Sequence, residues 1–202
     1  MAGGETDIRP SEARQRLLVT ATRIFYSEGI HSVGVDRIVR EAKVTRATFY
    51  RHFPGKEDLV VAYLQAADQE IRSQVDAAIT AGLPAPDALR AVAESIAQGI
   101  QSAGFRGCAF LNAGAEYPDP NHPVHRAILA HRQWFLDTIT TLMASIQTTE
   151  AEPAAQHFVM LRDGAMAAGC LFDRGLICET FLRGVEGLIR THAVRQSSGA
   201  AA

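Results

Sequence analysis

The window from 37 to 56 has a composition suited to contact with a polyanion. It contains six basic residues and one acidic residue, Glu41, so its local charge is +5, although the whole chain has a formal net charge of −2. A cluster of Lys and Arg attracts a negatively charged partner. A solvated basic face with no partner explains the same composition, so charge alone leaves both interpretations open.

The residue order inside this window predicts two short helices joined by a tight turn. Apolar spacing predicts a helix over 35–42, and Thr45 stands where an N-cap hydroxyl would accept a backbone N–H of a second helix over 46–52. Such a pair suits the major groove of DNA, which is about 12 Å wide. Four residues are predicted to pack inward, namely Val44, Ala47, Phe49 and Phe53. The predicted outward donors are Thr45, Arg46, Thr48, Tyr50, Arg51 and His52.

These donors divide into base readers and phosphate binders. Arg46 is predicted to contact a base edge, because a guanidinium can bond guanine O6 and N7 together. Tyr50, Arg51, His52 and Lys56 suit phosphates, and the first turn of the next helix offers free N–H groups to a phosphate oxygen. Phosphate contacts position a protein on DNA, whereas base contacts select the sequence.

The elements that position these residues are predicted to be helices throughout. Apolar spacing predicts further helices over 11–27, 56–79, 88–102, 106–117, 124–147, 154–172 and 176–192. The segment from 117 to 123 contains three prolines, which exclude a helix there. No convincing two-residue alternation predicts a strand, so the predicted fold class is all-α.

Composition excludes several other classes of protein. The longest stretch without Asp, Glu, Lys or Arg, 138–149, has 12 residues, which is too short to span a membrane. Glu5 and Asp7 lie where a signal peptide would be apolar. The three cysteines have neither zinc-finger spacing nor a disulfide framework. We therefore expect a cytoplasmic protein with no membrane association and no cofactor.

Residues 11–64 resemble the DNA-binding domain of TetR-type (TetR/AcrR) transcriptional regulators. Residues 35–64, VDRIVREAKVTRATFYRHFPGKEDLVVAYL, carry the resemblance, and TRATFYRHFPGKEDL from Thr45 is similar to the recognition helix and the start of helix four. The segment ATRIFYSEGIHSVGV from Ala21 resembles the end of helix one and the bend into helix two. The resemblance implies a homodimer whose two heads enter successive major grooves of a near-palindromic operator. It also implies a C-terminal helical domain that binds a ligand and dimerises.

Two residues depart from the family pattern. Lys43 occupies the turn where the family usually has Gly, and a positive φ there would cost a Lys about 1 kcal/mol relative to Gly. Lys43 also adds a cation beside the DNA. Gly34 stands where helix two usually opens with Ser or Thr, and Gly is a weaker cap.

Residues 106–135 resemble the segment that lines the effector cavity in one large subgroup of these regulators. A cavity of this kind is mostly apolar with a few polar groups. The predicted ligand-binding residues are Phe110, Asn112, Glu116, His125, His131, Trp134, Phe135, His157, Met160 and Leu161. Ordinary core packing is the alternative for each aromatic residue, and Arg162 and Asp163 could instead form a buried or interfacial pair.

The segments DGAMAAGC, from Asp163, and CETFLRGVEGLIR, from Cys178, resemble the helix pair of the family's four-helix dimer interface. Small residues let two helices approach closely. The predicted interface residues are Gly164, Ala168, Phe181, Leu182, Val185 and Leu188. Closure of the monomer core by the same helices is compatible with this role.

The predicted organisation is a disordered arm over 1–10, a helix-turn-helix head over 11–55, a helical effector-binding and dimerisation domain over 56–195, and a disordered tail over 196–202. The predicted function is repression of an operator that is released when a small, largely apolar effector binds. Partners are then double-stranded operator DNA, the effector and a second copy of the chain.

Several alternatives remain open from the sequence. An activator needs the same operator contacts. A redox sensor could use Cys108 if Arg106 stabilised its thiolate. A metal sensor could use His122, His125 and His131, although no known ligand spacing emerges. An enzyme on a helical bundle lacks any recognisable catalytic constellation.

Overall fold

The structure is a computed structural model that describes residues 11–146 and 150–199, with side chains through His192. Nine helices and no strand occur in these ranges, so the all-α prediction is confirmed. In chain order the helices are α1 (Glu12–Glu28), α2 (Val35–Glu41), α3 (Arg46–His52), α4 (Lys56–Thr80), α5 (Ala85–Gln101), α6 (Ala109–Glu116), α7 (Pro123–Ile146), α8 (Ala151–Ala168) and α9 (Arg174–Gly199).

Several helix ends differ from the predictions, in two cases because a proline or a glycine sets where the helix begins. Pro86 lies in the first turn of α5, where its missing N–H costs nothing, so the helix begins earlier than predicted. Gly107 has a φ of 87°, which delays the start of α6 to Ala109. α8 ends at Ala168, four residues before the predicted end at 172.

The predicted disordered segments have different outcomes. α9 continues to Gly199, so the prediction of a disordered tail is wrong for residues 196–199. The last three residues of that tail and the predicted arm over 1–10 lie outside the described residues.

The chain divides into two compact units, Met1–Leu64 and Gln65–Ala202. The division lies inside α4 rather than at its start, where the sequence analysis places it. α4 is therefore one continuous helix that contributes to both units.

The first unit packs α1, α2 and α3 together with the start of α4 around an apolar core. Ser11 caps α1 by accepting the N–H of Arg14, and Gly29 ends it with a φ of 90°. Its fully buried large side chains include Leu17, Ile24, Ile38, Phe49 and Leu59.

The second unit is a bundle in which α7 packs on α8, α5 and α6, and α9 packs on α5 and α8. Its core contains a row of neighbouring aromatic rings, Phe135, Phe158 and Phe181, whose centroids lie 6.4 and 6.1 Å apart along the row. Aliphatic residues from α4, α5, α7 and α9 surround these rings.

Candidate nucleic-acid interface and C-terminal polar cluster

The turn between α2 and α3 is closed by the backbone. The N–H of Val44 donates to the carbonyl of Val39 at 3.1 Å, and Lys43 has a φ of 53°. The left-handed backbone that the departure from Gly suggested is therefore present, and Lys43 bears the strain. Gly34 opens α2 without a side-chain cap, as expected for a residue with no side chain.

Two buried phenylalanine rings on one side of α3 and a hydrogen-bonded N-cap fix this helix in place. Phe49 and Phe53 are buried, and Thr45 Oγ1 accepts the N–H of Thr48 at 3.1 Å, as the sequence predicts. Ala47 is exposed, so the prediction that it packs inward is wrong. Its place on the outer face of a seven-residue helix leaves it no neighbour to pack against.

The predicted DNA-contacting side chains share one short stretch of surface. Five of them are exposed: Lys43, Thr45, Arg46, Tyr50 and Arg51. Three are half-buried: Thr48, His52 and Lys56. Tyr50 is 53% exposed although its ring contacts Phe49, so its hydroxyl is available to a partner. His52 is positioned by a 3.0 Å hydrogen bond between its Nε2 and Ser11 Oγ.

Arg46 is not a free side chain. Its Nε and Nη2 donate to the two carboxylate oxygens of Asp36 at 2.6 and 2.9 Å. Both side chains are largely exposed, at 64% and 70%. Sequence analysis missed Asp36, which lies just outside the basic window. For Arg46 to contact a base edge, its guanidinium must therefore leave the Asp36 carboxylate and donate to the base instead.

The positive charge of the window is also reduced by ion pairs to neighbouring helices. Arg37 donates to Glu28 at 2.5 and 2.6 Å and to Glu41 at 2.8 Å, and Arg23 reaches Glu41 as well. The hydrogen bond from Arg37 lowers the pKa of Glu28, and bonds from Arg37 and Arg23 lower the pKa of Glu41. Arg37 thus braces the head, and Arg40, Lys43 and Arg51 remain as exposed cations of the window.

The start of α4 differs from the predicted phosphate site. Asp58 Oδ2 accepts the N–H of Gly55 at 2.8 Å, and Glu57 adds a second carboxylate in the first turn. Acidic side chains occupy the place where a helix dipole favours an anion. The carboxylates of Asp58 and Glu57 therefore already occupy part of the place where a phosphate is predicted to bind.

Four of the predicted ligand-binding residues come together in the second unit. The ring of Phe110 on α6 stacks on His131 of α7, with centroids 3.6 Å apart and planes 5° from parallel. Trp134 lies 5.7 Å from His131, and Phe135 lies 6.1 Å from Trp134. Phe110, His131 and Phe135 are buried, so these rings form one layer between α6 and α7.

α4 is joined to this layer by two side chains. Asp68 accepts the Nδ1–H of His131 at 2.7 Å, and Arg72 lies over the Trp134 ring at 4.1 Å. Burial works to raise the pKa of Asp68, but hydrogen bonds from Arg72 and His131 outweigh it and hold the pKa below its usual value. Burial lowers the pKa of His131 despite the bond to Asp68, so burial favours the neutral imidazole.

A buried arginine lies on the neighbouring helix. Arg162 is 3% exposed, lies over the Phe135 ring at 5.1 Å and donates to Asp163 at 2.8 Å. The pair that the sequence suggested therefore exists. Asp163 is shared, because Arg132 also donates to both of its oxygens. Burial works to lower the pKa of Arg162, but Cys108 and Asp163 outweigh it and raise it.

Cys108 is contacted by Arg162. Arg162 Nη2 lies 3.5 Å from Cys108 Sγ, and the thiol is buried. Only the fold could reveal this pair, since the two residues are far apart in sequence.

The other predicted ligand-binding residues lie elsewhere. Asn112 is exposed and donates to the carbonyl of Arg106 at 2.9 Å, so it braces the start of α6. His157 and Met160 are exposed on α8. Leu161 lies against Gly184 of α9, and Glu116 is half-buried on α6. Leu161 also packs against the apolar core of the second unit that contains Phe135.

The predicted dimer residues divide in two. Phe181, Val185 and Leu188 are buried in the core of the second unit, which fits closure of the monomer core, and their place in a dimer interface stays a prediction. Gly164 is exposed, and Ala168 and Leu182 are half-buried. Four further apolar side chains are exposed on α8, at the start of α9 and in the connection between them. They are Met160, Leu171, Phe172 and Leu176, and none of them was predicted as an interface residue.

The histidines considered for a metal have protein partners. His122 Nδ1 accepts the N–H of Val124 at 3.2 Å, and His125 Nδ1 donates to the carbonyl of Tyr117 at 2.7 Å. Across the described ranges, no group of three or more His, Cys, Asp or Glu side chains is placed to hold a metal ion. None of the helices described in the structure has the length and apolar character needed to cross a membrane.

Comparison with known proteins agrees with this arrangement. A family profile described as "Bacterial regulatory proteins, tetR family" matches residues 17–63. A TetR-family transcriptional regulator from Streptomyces coelicolor, known from a crystal structure, is 67% identical, with a TM-score of 0.89 and coverage of 91% of this chain and 97% of that one.

Two curated regulators are also similar. The transcriptional regulator AcuR of Cereibacter sphaeroides is 35% identical over 52% of this chain and 49% of its own length. The chain thus matches about half the length of that relative. The HTH-type transcriptional regulator YjdC of Escherichia coli is 21% identical over 91% of this chain and 96% of its own.

Proposed function

Because the chain belongs to the TetR family of transcriptional regulators, which are not enzymes, we propose that it is a cytoplasmic repressor that binds operator DNA as a homodimer and releases it when a small molecule binds the second unit. The observation that carries the DNA-binding part is the exposed face of α3 and its turn, with Arg46, Tyr50 and Arg51 directed outward from a core anchored by Phe49.

Arg46 is the proposed base reader, and the other outward side chains bind phosphate. Its pairing with Asp36 keeps the guanidinium presented at the N-terminal end of α3. Recognition helices use their N-terminal residues to contact base edges, which is where Arg46 lies. Lys43, Thr45, Thr48, Tyr50, Arg51, His52 and Lys56 then set the register on the DNA backbone.

The proposed dimer interface is centred on α8 and α9. Gly164 and Ala168 allow close approach of α8, and Met160, Leu171 and Phe172 offer apolar surface at 72%, 77% and 67% exposure. Such exposed apolar side chains are unusual on a monomer unless they meet a partner. Leu182, half-buried on α9, is the remaining residue of the proposed interface.

Ligand release of the operator needs a path from the second unit to the heads. α4 offers one, because it is a single helix from Lys56 to Thr80 that carries Asp68 and Arg72 against His131 and Trp134. An effector that binds this layer more tightly in the DNA-free state shifts α4 and the spacing of the recognition helices. Half-sites lie about 34–36 Å apart or at a multiple of that distance, so a shift of a few Å separates one head from its site.

The experiment is selection of genomic fragments by the purified protein, followed by titration of the selected operator. Arg46→Ala is expected to weaken operator binding about tenfold or more and to relax base preference at one position. Arg51→Ala is expected to weaken binding to all sequences and to reduce the salt slope by about 1 for each phosphate that is no longer bound. Arg190→Ala, which removes an exposed charge from α9, is the matched control. Equal losses in all three variants would contradict the assigned interface.

A second candidate function is redox control of the same DNA-binding head. The observation that favours it is the 3.5 Å contact between Arg162 Nη2 and Cys108 Sγ, because a neighbouring guanidinium stabilises a thiolate. Operator release by hydrogen peroxide that is abolished in Cys108→Ser and kept in Cys170→Ser would support it. Equal release in both variants would exclude Cys108.

A further inference from the structure

Two buried nitrogen atoms in the second unit have no hydrogen-bond partner among the described residues. They are Nε of Arg162 and Nε2 of His131, in side chains that are 3% and 2% exposed. Buried polar groups are nearly always paired, because each orphan costs about 1–3 kcal/mol. Two orphan atoms in one buried region are therefore available to pair with a bound group.

The two atoms belong to one buried region between α6, α7 and α8. Arg162 contacts Cys108 and the ring of Phe135, and His131 stacks on Phe110. Cys108 and Phe110 lie two residues apart at the start of α6, and His131 and Phe135 lie one turn apart on α7. The positive charge of Arg162 is also one of the causes that lower the pKa of His131.

This region carries an excess positive charge. Arg132 and Arg162 share the single carboxylate of Asp163, and Asp68 is balanced by Arg72. Burial lowers the pKa of His131 and so favours its neutral form. A buried charge without a full counter-ion costs several kcal/mol, and an anion would offset that cost.

We propose that Arg162 and His131 form the head-group site of the effector, and that the effector is a small carboxylate with an apolar body. One carboxylate oxygen accepts from Nε–H of Arg162 and the other from Nε2–H of His131. The apolar body packs against the rings of Phe110 and Phe135. This assignment rests on the proposed function, because it concerns the ligand of that same regulatory site.

Binding of a carboxylate is coupled to a proton. In the free protein His131 donates from Nδ1 to Asp68, which leaves a lone pair on Nε2. A carboxylate repels that lone pair, so His131 takes up one proton from solvent and donates from both nitrogens. The charged groups around His131 lie on three helices: Asp68 and Arg72 on α4, Arg132 on α7, and Arg162 and Asp163 on α8. The titratable thiol of Cys108 lies at the start of α6.

The test uses Trp134, the one tryptophan of the chain, as a built-in fluorescent reporter beside His131. The full-length protein is titrated with sodium butyrate and sodium benzoate, and with butyramide and benzamide as neutral counterparts, at constant ionic strength. Saturable binding of at least one carboxylate is expected, at least tenfold tighter than its amide. Its affinity is expected to fall between pH 6 and pH 8, by at most about tenfold per pH unit for one proton.

Three variants assign the signal to residues. Arg162→Gln is expected to weaken carboxylate binding at least tenfold, and His131→Asn to remove the pH dependence. Arg132→Gln keeps Arg162 and both orphan atoms but removes the excess charge, so a several-fold loss is expected. Arg126→Gln, an exposed arginine on α7, is the control with the same change of charge.

The outcomes separate this inference from the proposed function. Carboxylate binding that leaves operator affinity unchanged would support the site and contradict ligand-induced release. Operator release by a neutral compound, with equal binding of acids and amides, would overturn the carboxylate site and leave the repressor intact. A signal that does not saturate with either acid, or that is the same in Arg162→Gln, also overturns it. If a variant fails to fold, the comparison of acids with amides on the wild-type protein still decides the question.

Discussion

The two units use the same ion-pair chemistry in opposite environments. In the first unit, Arg46 and Asp36 pair at the surface with 64% and 70% of their side chains exposed. In the second unit, Arg162 pairs with Asp163 while only 3% of the arginine side chain is exposed. Exposed pairs contribute little to stability, whereas removing one partner of a buried pair leaves a costly charge.

This difference matches two kinds of task. An exposed pair is easily exchanged, so Asp36 can hold Arg46 until a base edge or phosphate replaces it. A buried pair with orphan donors is selective, because only a group of matching shape and charge offsets the cost of desolvation. Rapid exchange of Asp36 for DNA suits the DNA-binding surface. Selection of one kind of bound group suits a regulatory site.

The largest expected effect comes from removing the buried counter-ion. Asp163→Asn leaves Arg132 and Arg162 without their shared carboxylate and is expected to lower the free energy of unfolding by about 3 kcal/mol. Urea denaturation at fixed protein concentration measures it. Asp137→Asn on the exposed face of α7 is the control. An equal decrease in the free energy of unfolding in both variants would contradict the claim that the buried pair of the second unit matters more for stability than an exposed carboxylate.

Acidification is expected to weaken the second unit next. Burial lowers the pKa of His131, so the unfolded chain binds a proton at a higher pH than the folded chain does. Stability therefore rises with pH up to the unfolded pKa and is lost as the pH falls, by at most about 1.4 kcal/mol per pH unit for one residue. Urea denaturation at pH 5, 6 and 7 checks the slope. His131→Asn should flatten it, and an unchanged slope would show that other groups dominate.

Releasing Arg46 from its exposed partner is expected to have a smaller effect. Asp36→Asn removes the acceptor that competes with DNA and should raise operator affinity, by up to about fivefold, because exposed pairs contribute little. Fluorescence anisotropy with operator duplex measures it. Asp36→Asn combined with Arg46→Ala should show no gain over Arg46→Ala alone. A gain that persists in the double variant would mean that Asp36 repels DNA without acting through Arg46.

The smallest expected effect concerns the strained turn. Lys43→Gly relieves a left-handed backbone but adds chain entropy to the unfolded state, so the free energy of unfolding should rise by no more than about 1 kcal/mol. Non-specific DNA affinity should fall, because the variant has one cation fewer. Thermal unfolding and salt titration separate the two effects. Lys43→Asn, which tolerates this backbone, is the control for charge.

The head was predictable in detail because its signals are local. Thr45 as an N-cap and Lys43 in a left-handed turn each depend on a few neighbouring residues. The same local reasoning predicted both ends of α3 correctly. It failed for Ala47, because the direction of a small apolar side chain depends on what surrounds the helix.

The second unit was predictable only as a set of helices. Spacing identified α7 and the aromatic residues that line it, but not which of them meet. Phe181 and Val185, which are predicted at a dimer surface, are already buried in the core of the single chain, because apolar periodicity marks a buried face without naming what buries it. Nothing in the sequence linked Arg162 to Cys108 or Asp68 to His131.

Short-range order along the chain was enough to establish an all-helical protein with a basic helix-turn-helix, because capping, turn geometry and apolar periodicity act within a few residues. Burial and charge balance depend on distant segments meeting in space. Only the folded chain could therefore decide that Arg46 is held by an exchangeable surface carboxylate, and that Arg162 and His131 each bury a nitrogen that has no hydrogen-bond partner among the described residues.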